Sequence, residues 1–291
     1  MTHLDIDALM TQDDPRTKKA KSIAFIQCVG SRNNENPYCS KVCCTHSLKA
    51  ALGLKANNPR SRIYIVYRDI RSYGFREDLY REAREKGVIF IRYELKNPPI
   101  VGLSKDKELK LTVTDHILNV PVTIRPDLLV LASGIAPNEN KDLFEKFKVP
   151  VNDEGFLVEA HAKLRPVDFA SDGLFVAGLA HYPKPIEESI AQAKAAVARA
   201  MTIISKDSIM VGGVVAEVTR EKCAVCLTCV RACPYSIPYI HEEGYAVIEA
   251  SECHGCGVCV SECPGKAIKL NHFTDEQIMA KTDALFYEEC A

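Results

Sequence analysis

No sign of charge dominates the 291 residues: 37 lysines and arginines face 38 aspartates and glutamates, a net charge of −1. Such a balance supplies none of the long-range attraction that nucleic acid or an anionic membrane exerts, so neither is expected as a partner. Long apolar runs are missing too. Leu128–Ala132 falls far short of the ~18–20 residues that cross a bilayer and reads as a buried strand. The first 21 residues contain no apolar stretch of the kind a secretory signal carries. A soluble, cytoplasmic protein without a membrane span is expected. With 47% hydrophobic residues, the length suits about two domains with a sizeable core.

Cysteine is plentiful, at 13 residues, and in a reducing compartment it points to metal ligation. Two stretches share one spelling, Cys223-x-x-Cys226-x-x-Cys229-x-x-x-Cys233-Pro234 and Cys253-x-x-Cys256-x-x-Cys259-x-x-x-Cys263-Pro264, offset by 30 residues. This is the ligand pattern of a bacterial-type ferredoxin with two 4Fe–4S clusters, in which each run lends three thiolates to one cluster and its fourth to the other. Disulfides at such short spacing would be strained and need an oxidising compartment. Zinc takes two cysteine pairs separated by a longer loop and gives the prolines no role. The pattern therefore predicts an electron carrier. Inside the second run, His254 and Gly255 lie where small or polar residues tune a cluster through N–H bonds to sulfur.

Residues 1–21 are polar, broken by Asp13-Asp14-Pro15 and Lys18-Lys19, and read as a leader or linker. From Ser22 onward strands alternate with helices. Strands are predicted at Ile23–Cys28, Arg62–Tyr67 and Val88–Tyr93. Helices are predicted at Ser40–Leu54, closed near Gly53, and at Phe75–Lys86, with Phe75, Leu79 and Ala83 on one face and Gly87 as the stop. This order predicts a parallel, doubly wound Rossmann-like domain over 22–140. Antiparallel material follows at Leu109–Val113 and Val120–Ile124, then the strand Leu128–Ala132. A short strand at Leu174–Gly178 precedes a long helix with Pro185 at its first position and apolar residues Ile186, Ile190, Ala193, Val197, Met201 and Ile204 at helical spacing. The ferredoxin domain, of α+β type, occupies 212–271. Thr274-x-x-Gln277 is a capping box that opens a helical tail over 272–291, where Cys290 reads as a spare thiol. His46, His181, His254 and His272 have no spacing that suggests a metal site.

Between the first strand and first helix a dinucleotide site needs G-x-G-x-x-G, so that backbone can approach the pyrophosphate. Gln27-Cys28-Val29-Gly30-Ser31-Arg32 stands there with a single glycine, which argues against nicotinamide binding and against a stand-alone NAD(P)H oxidoreductase. Cysteines take the glycines' place. Cys39 and Cys43 are four apart on the predicted helix and share a face with Cys44 as neighbour, while Cys28 ends the strand opposite. Four thiolates converging on one cluster is one reading; small thiols packed in a core is the other.

The run Gln27–Arg32 followed by Tyr38-Cys39-Ser40-Lys41-Val42-Cys43-Cys44 resembles the signature of the heterodisulfide reductase A-subunit family. The likeness continues through Tyr67-Arg68-Asp69-Ile70-Arg71, Gly74, Pro183-Lys184-Pro185-Ile186 and the tandem ferredoxin, about residues 20–271. The resemblance implies a thioredoxin-reductase-like flavoprotein domain, Rossmann-type and α/β, into which a further 4Fe–4S cluster is inserted on Cys28, Cys39, Cys43 and Cys44. It implies three 4Fe–4S clusters and FAD in all. It also implies that residues 141–211 are the C-terminal segment of the FAD domain, so that the 291 residues begin at the inserted domain and lack the first, glycine-rich half.

In that return segment Gly178 ends a strand, and Gly178, Leu179, Lys184, Pro185 and Ile186 are the expected flavin contacts. A helix N-terminus stabilises the negative charge of a reduced flavin, and Lys184 would add to it; a solvated surface lysine is the alternative. The usual Gly-Asp ending is replaced by Gly178-Leu179-Ala180-His181. These features lead to an expected split arrangement, with another chain supplying the N-terminal FAD-binding half and the flavin shared with it. The expected role is an electron-transfer subunit, inactive alone, of a heterodisulfide-reductase-like complex with ferredoxin or other redox subunits as partners. It relays electrons between the flavin and those subunits and is open to flavin-based bifurcation. No residue is expected to act as acid, base or nucleophile. The competing expectation is a flavin-free, ferredoxin-like relay whose Rossmann-like part is a docking scaffold.

Overall fold

The computed structural model describes residues 1–117, 119–208 and 212–286, so Cys290 and the last residues of the tail lie outside the described residues. The chain divides into two compact units. One comprises Met1–Glu139, Asn152–Phe156 and Gly178–Ala191, the other Asn140–Val151, Leu157–Ala177 and Gln192–Ala291.

The first unit begins with helices α1 (His3–Thr11) and α2 (Pro15–Lys19). Its central sheet holds β1 (Ser22–Val29), β2 (Arg62–Tyr67), β3 (Ile89–Arg92) and, further along the chain, β7 (Leu128–Ser133), in the order β3-β2-β1-β7. Every pairing is parallel. The first six residues of β1 are all buried, as expected for a strand covered on both faces. Helices α3 (Cys43–Asn57) and α4 (Glu77–Glu85) cover one face with α1: Ile6, Leu48, Leu54 and Ala83 pack with Phe25, Ile63, Ile65 and Val130. Among the described residues the other face carries no helix. An antiparallel meander of β4 (Ile100–Leu103), β5 (Leu109–Asp115) and β6 (Val120–Ile124) sets Leu111, Val113 and Ile124 against Ala24, Ile26 and Val66. The unit is thus a Rossmann-type sheet with helices on one side only, not the doubly wound arrangement expected.

The leader reading of residues 1–21 is overturned. Thr2 and Asp5 form a capping box at the start of α1, Ile6 is fully buried, and Met1–Thr2 pair along β7. The signal is short, nine residues in which Ile6, Leu9 and Met10 turn to the core while Leu4 stays exposed, and the charged α2 follows it directly. Phe75 is also corrected. It lies in a short 3-10 turn, Gly74–Arg76, and is 98% exposed, so only Leu79 and Ala83 of the predicted stripe reach the core.

The second unit holds α5 (Lys141–Phe147) and the larger part of α6 (Ile186–Ile204). The predicted strand at Leu174–Gly178 is reduced to one bridge, Phe175 with Asp168, followed by a 3-10 turn over Gly178–Ala180. Asp168 is buried and accepts from Arg199 Nε at 3.0 and 3.2 Å, tying this loop to α6. The ferredoxin segment follows the order β8 (Ala216–Val218), α7 (Thr228–Ala232), β9 (Tyr239–Ile240), β10 (Ala246–Val247), α8 (Val258–Ser261), β11 (Ile268–Leu270). β8 pairs with β11 and β9 with β10, both antiparallel. The tail helix α9 (Asp275–Leu285) opens on the predicted Thr274–Gln277 capping box. No described helix is long and apolar enough to cross a membrane.

Candidate iron–sulfur sites and the return segment

The 30-residue repeat is visible in the backbone before any side chain is considered. Val225 and Leu227 in the first run have φ of 53° and 60°; Gly255 and Gly257, thirty residues on, have 64° and 76°. Left-handed residues turn successive N–H groups to one side, the geometry of an anion-binding nest. Valine and leucine rarely adopt it, and an outlier kept at such a place marks a functional constraint.

Two cavities result. One is lined by Cys223, Cys226, Cys229 and Cys263; the other by Cys233, Cys253, Cys256 and Cys259. Each draws three thiols from one run and the fourth from the other. The hydrogen bonds obey the same exchange: Ala246 N–H donates to Cys223 Sγ at 3.4 Å and Ala216 N–H to Cys253 Sγ at 3.3 Å. Val218, Ile240 and Ile268 line the first cavity and Ile237, Pro238 and Ile248 the second, an apolar shell that limits water. Burial pushes the Cys259 thiol up to about 11, with the charges of Cys253, Cys256 and Cys233 adding to it. Ligation must therefore replace that proton with metal charge. His254, expected only to tune, stacks on Tyr235 at 4.0 Å beside the second cavity.

Cys28, Cys39, Cys43 and Cys44 come together at the C-terminal end of the central sheet. β1 loses register with β7 between Ile26 and Val29, and the bulge carries Cys28 at φ 62°. Cys43 and Cys44 open α3, both buried. Cys39 does not sit on that helix, because Lys41 at φ 58° interrupts it; Lys41 N–H folds back to Cys39 Sγ at 3.3 Å. The shared helix face expected for Cys39 and Cys43 is thus replaced by a loop that carries Cys39 back. Burial raises the Cys43 thiol to about 12 and Cys44 to about 11, and the charges of Cys28 and Cys39 act on both. Twelve described cysteines are free of disulfides. No group of three or more His, Cys, Asp or Glu among the described residues is placed to hold a single metal ion, which draws thiolates to roughly 3.8 Å of one another when Zn–S is ~2.3 Å. A four-iron, four-sulfide group is larger than one ion, and the thiols here surround cavities. The donor set fits such a group: soft thiols, N–H groups turned to sulfur, and Ser31 Oγ, buried three residues past Cys28 with no partner.

Arginines crowd the same end of the sheet. Arg32 Nη1 is 3.9 Å from Cys28 Sγ, and its Nη2 donates to Asp69 Oδ2 at 2.7 Å. Arg68 Nη1 donates to the Arg32 carbonyl at 2.6 Å, while Arg92 and Arg71 lie 3.6 and 3.9 Å from Asp69. Sequence alone assigns these side chains no role, although Arg32, Arg68, Asp69 and Arg71 lie in the runs that carry the family resemblance and arginine is dense after the two parallel strands.

An open cleft of about 720 Å³ adjoins Cys39, lined by Tyr38, Lys41, Arg71, Tyr73 and Tyr182 among others. Tyr38 packs edge to face on Tyr182 in its wall and on Phe156 behind it, the Phe156 and Tyr182 rings are tilted to each other, and Lys41 lies over the Tyr182 ring. Of the expected flavin contacts, Gly178 has φ 71°, Leu179 is half exposed, Pro185 is buried and Ile186 is exposed at the first turn of α6. Lys184 is not a solvated surface lysine. It is 8% exposed, with Nζ 2.9 Å from His181 Nδ1. The N-terminus of α6 carries carboxylates of its own: Glu187 pairs with Arg76, and Glu188 accepts from Tyr73.

A family model described as "4Fe-4S dicluster domain" matches residues 216–264. An iron-sulfur A subunit of CoB--CoM heterodisulfide reductase from Methanopyrus kandleri is 40% identical over 79% of this chain and 36% of its own. The A subunit of H(2):CoB-CoM heterodisulfide,ferredoxin reductase from Methanothermobacter thermautotrophicus is 38% identical over 94% of this chain and 41% of its own. This is a heterodisulfide reductase A-subunit-like chain. A protein of Archaeoglobus profundus, itself named as like the heterodisulfide reductase A subunit, gives 38% over 92% of this chain and 39% of its own. The A-subunit-like chain spans about two fifths of the length of the curated relatives it matches. Among solved structures, thioredoxin reductase of T. acidophilum superposes with a TM-score of 0.44 at 13% identity, covering 68% of this chain and 57% of its own.

Proposed function

We propose that this chain is an iron–sulfur electron-transfer subunit of a heterodisulfide-reductase-like complex in the reducing cytoplasm. The observation that carries the reading is the pair of ferredoxin cavities, each ringed by four cysteines exchanged between the two runs. Cys223, Cys226, Cys229 and Cys263 would hold one 4Fe–4S group, Cys253, Cys256, Cys259 and Cys233 a second, and Cys28, Cys39, Cys43 and Cys44 a third. When bound, such groups take up and release single electrons. The chain's own work is to hold the thiols, to shield them with apolar side chains, and to aim N–H groups at sulfur.

FAD belongs to the same reading. Buried Lys184, Gly178 and the segment Leu179–Ile186 would face it, and the glycine-rich half of its site would come from outside these residues, from a partner chain in the split arrangement. The Methanothermobacter relative is named for both a heterodisulfide and ferredoxin. Two such acceptors would suit flavin-based bifurcation. The carboxylates of Glu187 and Glu188 at the start of α6 favour the second reading, a flavin-free relay in which the Rossmann-type unit only docks partners, because they put negative charge where a reduced flavin needs positive. Anaerobic purification of the native complex, with iron, FAD and co-purifying chains quantified together, separates the two. About 12 iron per chain with FAD supports the flavin reading. The same iron without FAD supports the relay, and iron well below 8 overturns both.

A further inference from the structure

We infer that Arg32 is a positioning residue that raises the reduction potential of the site formed by Cys28, Cys39, Cys43 and Cys44. The inference rests on the ligand assignment proposed above and extends it to a residue that is no ligand.

Arg32 is held in an uncommon way. Its backbone is left-handed at φ 57°, its carbonyl is clamped by Arg68, and one prong of its guanidinium is bound by Asp69. What is left free by these bonds is the other prong, Nη1, which faces Cys28 Sγ at 3.9 Å. The side chain is 14% exposed, so salt screens it little. Asp69 neutralises only part of the local charge, since Arg68, Arg71 and Arg92 stand around it as well. The ferredoxin sulfurs meet another environment: backbone N–H groups of Ala216, Ala246 and Ala267 reach Cys253, Cys223 and Cys263. Arginine suits the task through its planar fork, which binds a carboxylate with one edge and still presents N–H to sulfur; a lysine ammonium offers one point charge for both.

The sign follows from charge. Adding an electron makes the thiolate-bound group more negative, and a fixed cation beside it favours that state over the oxidised one. Removing the cation moves the midpoint to more negative potential. A unit charge about 6 Å away in a medium of effective dielectric ~20 changes the oxidised-to-reduced ratio on the order of ten- to a hundredfold.

The test is a redox titration, followed by electron paramagnetic resonance, of the anaerobically purified complex carrying Arg32→Gln or Arg32→Lys. With iron content unchanged, the Gln variant is expected to show one centre shifted to more negative potential. At the wild-type midpoint its oxidised-to-reduced ratio rises by about tenfold or more. The Lys variant should shift less, and the two ferredoxin centres stay in place in both. An unmoved midpoint in the Gln variant with the centre intact overturns the role of Arg32. Should the Gln variant lose iron, the neutral, similarly long Arg32→Met decides: a negative shift with iron retained supports the inference, and an unmoved midpoint ends it. Cys43→Ser tells this failure apart from that of the ligand assignment, because a full iron content in that variant removes the third site and with it the object of the inference.

Discussion

Replacing Gly255 by alanine asks one methyl group to enter the loop between Cys253 and Cys256. The backbone there is left-handed, at φ 64°, which costs an L-residue roughly 1–2 kcal/mol. The new Cβ would also overlap the Val214 carbonyl oxygen, well inside van der Waals contact, and lie 2.9 Å from Val214 Cγ1. The carbonyl is backbone and cannot swing aside, so the loop must shift, an overpacking cost of about 1–3 kcal/mol. Together these amount to roughly 2–5 kcal/mol against the ligand-ready loop, or a loss of about thirtyfold to a few thousandfold in its population. Gly257→Ala is the control. Its φ is 76°, but its Cβ would meet only Leu270 Cδ2 at 3.6 Å, an ordinary contact. The first run shows that strain alone is tolerable, since Val225 and Leu227 occupy the equivalent positions. Iron per chain and the spectrum of each centre, measured after anaerobic purification, check the reasoning. Gly255→Ala should fall to about 8 iron from about 12, losing the centre of Cys253, Cys256, Cys259 and Cys233, while Gly257→Ala keeps it. Full iron in Gly255→Ala, or equal losses in both variants, would refute the steric account.

Cys263→Ser is expected to empty the site of Cys223, Cys226 and Cys229 although it lies in the other run. Double variants show it cleanly: Cys226→Ser with Cys263→Ser loses about 4 iron, and Cys256→Ser with Cys263→Ser about 8, whereas a site confined to one run reverses the two results. His3 predicts a pH effect on α1. Burial first, and then His46 stacked on it, lower His3 from 6.5 to about 4. Between those values an undocked α1 binds a proton that the docked one excludes, so its docking weakens as pH falls from 6.5 towards 4, by roughly 3 kcal/mol in all. Amide exchange of α1, corrected for intrinsic rate, should accelerate by on the order of tenfold or more between pH 7 and 5, and His3→Gln should flatten the change. Protection that ignores pH in the native chain would contradict this.

Much of the first unit is legible because the signals are local. Arg62–Tyr67 is rich in β-branched and aromatic residues and Leu128–Ala132 is an aliphatic run, and the structure keeps the first span unchanged and lengthens the second by one residue. Where a local signal competes with a tertiary one, the reading fails. The helix predicted from Ser40 starts at Cys43 because Lys41 turns left-handed to bring Cys39 back. Phe75 matches the helical period of Leu79 and Ala83, yet the 3-10 turn at Gly74 leaves it in solvent. Met1–Lys19 reads as polar, and only the folded chain gives it partners: β7, more than a hundred residues away, pairs with Thr2, and the core of α3, β1 and β7 takes Ile6.

The amino-acid sequence by itself determined the two ferredoxin ligand sets, since cysteines three residues apart can close around one small group within a single loop and the return of the fourth follows from the repeat. It also determined that no glycine cradle stands after β1. Tertiary structure alone decided what surrounds the cysteines put there instead. Parallel strands end side by side, so β1 and β2 deliver Cys28 and Arg32 next to Arg68 and Asp69 across some 37 residues of chain. That charge balance has no spacing to read, because it exists only where the two strands stop.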